Sequence, residues 1–270
     1  MNRPLVRRIF LLLPILLCAF GVQAQRNVPF QDGEILTYDG KLSKIIQGID
    51  VAELTFTLDQ IEGGDYKIVA EARSKGTLLK LFRFSFLQRV ESTVNDDVFR
   101  VTKTVKHDVQ KERVRDSEAS FDYKDKRVTY TEVDPKEPMK APRKIASELD
   151  GTTHDLVSGV YSLRLLPLAV GKTFELKISD SGLVYDVPIR VTAREQIKTE
   201  LGRIWCFRVE PGVFGPGRLI ENKGSMIIWI SDDERRLPVR SRVDTSIGKI
   251  DIRIRSTSNV NNPTQTAKKN

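Results

Sequence analysis

The sequence predicts an all-β fold, in which a curved antiparallel sheet forms an open or closed barrel, with one short helix near residues 154–165. Apolar and polar residues alternate with a period of two through most of the chain, as in strands that bury one face. Turn sequences rich in Gly, Asp and Asn separate the alternating stretches, as at 62–65 and 180–182. A helical spacing of apolar residues follows residue 153. Many strands joined by short turns are typical of a sheet that curls into a barrel or a sandwich.

Residues 1–24 have the three parts of a cleavable secretory signal peptide. A positively charged N-terminal region precedes an apolar run at residues 9–22, and the small residues that follow predict cleavage after Ala24. The positive residues are Arg3, Arg7 and Arg8. A membrane anchor is an alternative, but a spanning helix needs about 20 apolar residues, and this run is shorter and contains Pro14. The sequence therefore predicts a protein secreted across the inner membrane, periplasmic, and without a transmembrane span after cleavage.

Cys18 raises a second alternative, a lipid-modified N-terminus. Leu17 precedes it, where a lipoprotein signal has Gly or Ala, so we expect an untethered mature protein. Cleavage removes Cys18 and three arginines, which lowers the formal net charge from +8 to +5 and leaves Cys206 as the only cysteine. Because no intramolecular disulfide can then form, the fold must rest on its core. Cys206 lies in the apolar run 204–207, which predicts a buried structural thiol, since a catalytic thiol needs an open, electropositive setting.

Alternation places two sets of large apolar side chains on strand faces. They are Leu54, Phe56 and Leu58 in a strand at 51–58, and Phe82, Phe84 and Phe86 in a strand at 81–90. A curled sheet lined by these six side chains would enclose a cavity for an acyl chain; a packed core is the alternative. Ten further strands are predicted at 33–42, 65–72, 99–106, 127–133, 173–179, 184–194, 204–209, 225–230, 238–245 and 249–256.

Residues 134–151 carry three prolines among lysines and acids and are typical of a surface linker. This linker joins two halves, 25–133 and 152–258, of a single β-rich domain, and residues 259–270 are predicted to form a disordered tail. After the linker, apolar residues at 156, 160 and 163 predict a short amphipathic helix. We expect Asp155 or Thr153 to cap this helix and Pro167 to end it.

Residues that could carry catalysis are few. His107 and His154 are the only histidines, and His154-Asp155 lies at the predicted helix start, where both are ordinary capping residues. The acidic run 232–234 could suggest calcium, but aspartates there are typical of a turn between strands. We therefore expect no catalytic residue, no metal site, no cofactor and no enzymatic activity.

Four arginines near the C-terminus form a candidate anion-binding stripe: Arg240, Arg242, Arg253 and Arg255. If Ile247-Gly248 centres a hairpin, Arg240 lies opposite Arg255, and Arg242 lies opposite Arg253. Like charges directly opposite one another destabilise a sheet, so the stripe requires anions. Acidic side chains on the adjoining strand would supply them, as would an anionic ligand or a membrane surface. A different register is the third explanation, because Ile is a poor residue for a tight turn.

The loop at 211–217 is rich in Gly and Pro and carries Phe214. We interpret Phe214 as an exposed aromatic and the segment as a candidate partner loop, because long ordered loops are often functional. A disordered hairpin tip is the alternative.

Several segments resemble the domain-of-unknown-function family 3108 of exported bacterial proteins. They are Phe30–Tyr38, Val157–Arg164, Leu166-Pro167-Leu168, Gly171-Lys172, Arg194-Glu195, Gly224–Asp233 and Arg236–Val239. The resemblance extends over nearly the whole mature chain. It implies a periplasmic or envelope setting and a curved all-β sheet similar to the half-barrels of periplasmic lipoprotein carriers. It implies no activity and no active-site residues.

Three functional hypotheses follow. The first is a non-enzymatic periplasmic protein whose open β-barrel binds an envelope component, such as a lipid or glycolipid. The second is an envelope scaffold or assembly factor that binds another protein through its sheet edges or the Phe214 loop. The third, a hydrolase, is disfavoured by the shortage of histidine. Nucleic acid is not an expected partner, because the protein is predicted to be exported and its charge is mixed.

Overall fold

A computed structural model of the chain describes residues 28–43, 49–245 and 248–260. These residues form fifteen strands and two helices. The first eight strands are β1 (Glu34–Ser43), β2 (Ile49–Gln60), β3 (Tyr66–Ser74), β4 (Phe86–Asn95), β5 (Arg100–Gln110), β6 (Arg113–Asp122), β7 (Arg127–Val133) and β8 (Arg143–Glu148). The others are β9 (Thr153–Asp155), β10 (Thr173–Asp180), β11 (Leu183–Thr199), β12 (Gly202–Pro211), β13 (Gly224–Ser231), β14 (Pro238–Thr245) and β15 (Gly248–Ser258). The helices are α1 (Gly76–Phe82) and α2 (Leu156–Leu165). The predicted signal peptide and the tail beyond residue 260 lie outside the described residues.

All fifteen strands belong to one sheet, in the order β8 to β1 followed by β15 to β9. The antiparallel pairing of β1 with β15 joins the two predicted halves. β9 and β10 are parallel, whereas the other neighbours are antiparallel. β8 and β9 are consecutive in the chain but are the two edges of the sheet. The all-β fold class is therefore confirmed, and the curved sheet is open rather than closed.

The two ends of the sheet nevertheless approach each other. Gly182, in the turn between β10 and β11, is so close to β7 that a Cβ added to it would lie 2.6 Å from the Cβ of Tyr130. Val184 packs against the core cluster that contains Val128 and Tyr130. The sheet therefore curls through most of a turn, and the β10–β11 turn rests on β7.

α2 begins at Asp155, as the sequence predicts. The Asp155 carboxylate accepts hydrogen bonds from the backbone N–H groups of Val157 and Ser158, and the Ser158 hydroxyl donates back to the Asp155 carboxylate. The predicted amphipathic pattern is wrong, however, because α2 packs between two parts of the sheet. Val157 lies in the core formed with β2–β4, and the far end of α2 packs against β10–β13. Leu156, predicted to face the core, is 48% exposed.

Two further elements differ from the sequence predictions. The segment 81–90 is a strand only from Phe86, because α1 occupies Gly76–Phe82 and Leu78 is buried against Val51 of β2. This tertiary contact prevails over the alternating pattern. Residues 134–151 are not a linker throughout, because β8 pairs with β7 along its whole length. Among the described residues, no helix is both long and apolar enough to cross a membrane.

Candidate functional site

A cleft of about 200 Å³ lies between the inner face of strands β2–β7 and the start of α2. Its apolar wall is formed by cross-strand pairs of apolar residues on neighbouring strands. Leu54 pairs with Ala72, and Phe56 pairs with Ala70, which in turn pairs with Val90. Since the alanines are small and their neighbours are large, the inner face has a depression here. Leu156 and Val157 line the opposite side.

Asp155 lies at the base of the cleft, and its carboxylate is saturated with hydrogen bonds. One oxygen accepts from Ser92 Oγ at 2.5 Å and from Thr104 Oγ1 at 2.6 Å. The other accepts from the start of α2. These five hydrogen bonds anchor the start of α2 to β4 and β5.

His154, the residue before Asp155, is itself buried. Burial lowers the pKa of His154 to about 4, against the raising effect of the neighbouring Asp155 charge. Its Nδ1 atom is buried without a hydrogen-bond partner among the described residues. The ring lies 6.3 Å from that of Phe99, in the core. A buried, neutral imidazole facing an aromatic ring fits a packing role better than a dyad with Asp155.

Lys106 of β5 is the one cation among the described residues that line the cleft. It is half-buried, and no carboxylate of the described residues lies within ion-pair distance of it. Asp108, two residues along, accepts from the side chains of Gln88 and Gln110 instead. Asp180 lies on the β10 side of the cleft. The cleft thus combines an apolar wall and the unpaired Lys106 with the carboxylates of Glu71, Asp155 and Asp180.

The structure separates the six residues predicted to line a cavity. Leu54 and Phe56 line the cleft. Leu58 is fully buried in the core. Phe82 ends α1 and is 51% exposed, while Phe84 and Phe86 pack against the cluster around Leu78.

Sequence reasoning missed Lys106 because of a β-bulge. The pairing of β4 with β5 shifts between Thr93 and Val94. Val94 lies opposite Val101, whereas Thr93 lies opposite Lys103, so Thr102 is an extra residue in β5. An extra residue reverses which face each later side chain occupies. Lys106 consequently faces inward, whereas Val105 is 40% exposed. A strictly alternating pattern places Lys106 on the outer face of the strand, so the sequence alone gives no sign that it faces the cleft.

The register of the arginine stripe differs from the predicted one. Arg240 lies opposite Arg253, and Arg242 lies opposite Asp251. The cause is that Thr245 pairs with Gly248, so the hairpin is not centred on residues 247 and 248.

Carboxylates compensate three of the four arginines. Asp251 accepts hydrogen bonds from both Arg240 and Arg253. Burial acts to raise the pKa of Asp251, but these guanidinium groups outweigh it and hold the pKa below its usual value. Arg255 donates to Glu53 of β2 at 2.8 Å, and this bond lowers the pKa of Glu53. Arg242 instead lies over the ring of Trp229. Acids of β15, β1 and β2 therefore satisfy most of the stripe.

Phe214 is half-buried rather than fully exposed. It packs against the core cluster of β10–β13. A Cβ on Gly224 would lie 2.6 Å from the Phe214 ring, so the ring occupies the space that this glycine leaves free. The loop is also closed by a bridge between Phe214 and Ile220. Phe214 therefore packs within the chain.

The open, curled sheet is similar in fold to a solved β-barrel-like protein of the domain of unknown function DUF1849 from Brucella abortus, with a TM-score of 0.54 and 9% identity. The match covers 86% of this chain and 99% of that chain. At this identity the likeness shows the fold alone.

The chain belongs to the DUF3108 family, a family of unknown function whose profile matches residues 36–255. The resemblance noted in the sequence is thereby confirmed. Two other structures align with lower scores. A Bacteroides fragilis protein with a YmcC-like fold has a TM-score of 0.34 at 12% identity, with 86% of this chain and 98% of that chain covered. A candidate lipoprotein of Parabacteroides distasonis has a TM-score of 0.32 at 11% identity, with the same coverage. A comparison with curated proteins gave no match.

Proposed function

We propose that this protein is an exported periplasmic binding protein that holds the acyl part of an amphiphilic envelope component, such as a lipid or glycolipid, and catalyses no reaction. The observation that carries this proposal is the cleft beside α2, whose apolar wall leaves space between Leu54, Phe56 and two alanines. Ligand sites are typically concave and mostly apolar, with a few placed polar groups. The periplasmic setting rests on the signal sequence at residues 1–24.

The size of the cleft limits what it can hold. Its volume of about 200 Å³ is below the roughly 300–1,000 Å³ of sites that enclose drug-sized ligands. A segment of an acyl chain would therefore enter, and the rest of the molecule would remain outside. Leu156, 48% exposed at the start of α2, provides apolar surface for that outer part.

The absence of activated side chains in the described residues supports binding rather than catalysis. Asp155 is saturated by donors, and His154 is buried and neutral. Burial raises the pKa of the Cys206 thiol to about 12, far from the lowered values of reactive cysteines.

Lys106 sets the expected sign of the ligand's head group. An unpaired lysine beside an apolar wall favours a carboxylate or another single anion. Asp180 would repel that anion. We therefore expect Lys106→Met to weaken binding of a dansyl-labelled undecanoic acid and Asp180→Asn to strengthen it. If Lys106→Met strengthened binding of this anionic probe, or Asp180→Asn weakened it, the head group would not lie between these two charges.

Filling the depression tests the cleft itself. Ala70→Phe should abolish binding of dansyl-labelled undecanoic acid, because the ring would occupy the space beside Phe56. Ala146→Phe, on the exposed face of β8, is the control and should leave binding unchanged. Native mass spectrometry of protein purified from its own periplasm should reveal a lipid. The proposal would be refuted if Ala70→Phe and Ala146→Phe bound dansyl-labelled undecanoic acid equally well and the mass spectra showed no bound lipid.

A second candidate function, binding of another envelope protein, is favoured by the free edge of β8. β8 pairs with β7 on one side and with no strand of the described residues on the other. Such an edge can accept a strand from a partner, although the exposed Arg143, Lys144 and Glu148 oppose indiscriminate pairing. A stoichiometric protein in the same mass spectra, lost on Ala146→Pro, would support this function.

A further inference from the structure

α1 and the residues that follow it form an exposed apolar and basic lobe, which we define as residues 76–86 and call the α1 lobe. Phe82, at the end of α1, is 51% exposed. Leaving a phenylalanine in water forgoes much of the stabilisation that burial would bring. Leu78, one turn earlier, is 8% exposed and fixes the helix to β2. The helix is thus held by one side while its terminal aromatic ring faces solvent.

The charge of the lobe has a single sign. Residues 76–90 include Lys80, Arg83 and Arg89 and contain no acidic residue. Arg89 is neutralised by Glu91 and Glu71. Lys80 and Arg83 are exposed and have no carboxylate partner among the residues that the structure describes.

The adjoining turn between β5 and β6 extends this basic surface. The backbone N–H of Lys111 donates to the carbonyl of Ser85 at 2.9 Å, which ties the turn to the lobe. The Lys111 ammonium lies 5.7 Å from the centre of the Phe84 ring. Glu112 is the one acid of this turn, so the surface keeps an excess of positive charge.

We propose that the α1 lobe docks on an anionic lipid surface. Aromatic rings favour the interface between lipid and water, and exposed lysine and arginine side chains are attracted to anionic head groups. Phe82 would enter the interface, and Lys80 and Arg83 would contact the head groups. The lobe adjoins the cleft, because Leu54 lines the cleft and packs against the same cluster around Leu78 as Phe84 and Phe86. Docking here would bring the cleft to a membrane, yet it does not depend on what the cleft binds.

Co-sedimentation with vesicles tests the docking. The protein should lack residues 1–24, because their apolar run would bind vesicles by itself and all fifteen strands of the described residues lie after it. We expect binding to phosphatidylcholine vesicles that contain phosphatidylglycerol, and little binding to pure phosphatidylcholine vesicles. The double variant Lys80→Glu/Arg83→Glu should reduce partitioning by at least tenfold, and Phe82→Ser by roughly tenfold.

Matched controls are available at exposed positions outside the α1 lobe. Lys198→Glu/Arg203→Glu makes the same charge change at exposed positions of the β11–β12 hairpin, and Met139→Ser removes a 97% exposed apolar side chain. Both should bind vesicles within twofold of the parent protein. No binding to phosphatidylglycerol vesicles, or an equal loss in the control variants, would overturn the proposal. Ala70→Phe should leave vesicle binding intact, and Phe82→Ser should leave dansyl-undecanoate binding intact, so the two proposals fail separately.

Discussion

Arg164 of α2 and Glu34 of β1 form a bidentate ion pair, with nitrogen–oxygen distances of 2.5 and 2.9 Å, and both side chains are completely buried. The same guanidinium donates to the carbonyl groups of Pro29 and Arg235. Burial acts to lower the pKa of Arg164, but the Glu34 carboxylate outweighs it and raises the pKa. One side chain thus joins α2, the first strand, the segment before it, and the connection between β13 and β14.

Removing one partner of this pair should be strongly destabilising. Arg164→Met would leave the Glu34 carboxylate buried without a counter-charge, and such changes lower the free energy of unfolding by about 3–5 kcal/mol. Urea denaturation followed by circular dichroism would measure this. Arg164→Met/Glu34→Gln should regain part of the loss, because it removes the uncompensated charge.

An exposed ion pair provides the control for that measurement. The Arg253 side chain is 50% exposed where it meets Asp251, and exposed pairs contribute below about 1 kcal/mol. Arg253→Met should therefore have a small effect. If Arg164→Met were as mild, the buried pair would not hold these segments together.

Gly182 tests how closely the β10–β11 turn rests on β7. Its φ of +82° lies in the left-handed region, where alanine costs about 1–2 kcal/mol. An added Cβ would also collide with the Cβ of Tyr130 at 2.6 Å, and overpacking costs a further 1–3 kcal/mol or so. Gly202 has a φ of +101° but nothing within 4 Å of an added Cβ. Gly182→Ala should thus destabilise by about 2 kcal/mol more than Gly202→Ala in urea melts; equal losses would mean that the turn can move away.

Cys206 should report on opening of the structure. It is fully buried, and burial together with Asp233, Glu195 and Asp232 raises the pKa of its thiol to about 12. We expect native protein lacking residues 1–24 to react with a disulfide reagent only through opening of the fold, and unfolded protein to react at once. Ser120→Cys, at an exposed position of β6, is the control and should react rapidly in native buffer. Equally fast labelling of Cys206 would contradict its burial.

The parts of the fold that the sequence predicts are those set by local pattern. Leu54, Phe56 and Leu58 do lie on one face of β2, and Asp155 does cap α2, because alternation and capping act within a few residues. The predictions fail where contacts between residues far apart in the sequence determine the structure. The bulge at Thr102 depends on how β4 meets β5, and the opposition of Arg240 to Arg253 depends on which two residues form the hairpin turn. The cleft forms where alanines and large residues of separate strands become neighbours, which no single segment encodes.

The buried His154 predicts a loss of stability at mildly acidic pH. Its pKa is about 4 in the folded protein, whereas an unfolded histidine has a pKa of about 6.5. Between these values the unfolded state binds more protons, so stability falls as the pH decreases through this window and changes no further from this cause below about pH 4. The histidine contribution should reach about 2 kcal/mol between pH 7.5 and pH 5. Carboxylates whose pKa values are lowered in the folded protein, such as Asp251 and Glu53, also make the protein less stable on acidification. The relevant measurement is therefore the difference in unfolding free energy between the variant and the parent protein. His154→Leu should flatten the curve of unfolding free energy against pH over this range. A curve for His154→Leu that parallels the parent would mean that the buried imidazole is protonated without cost.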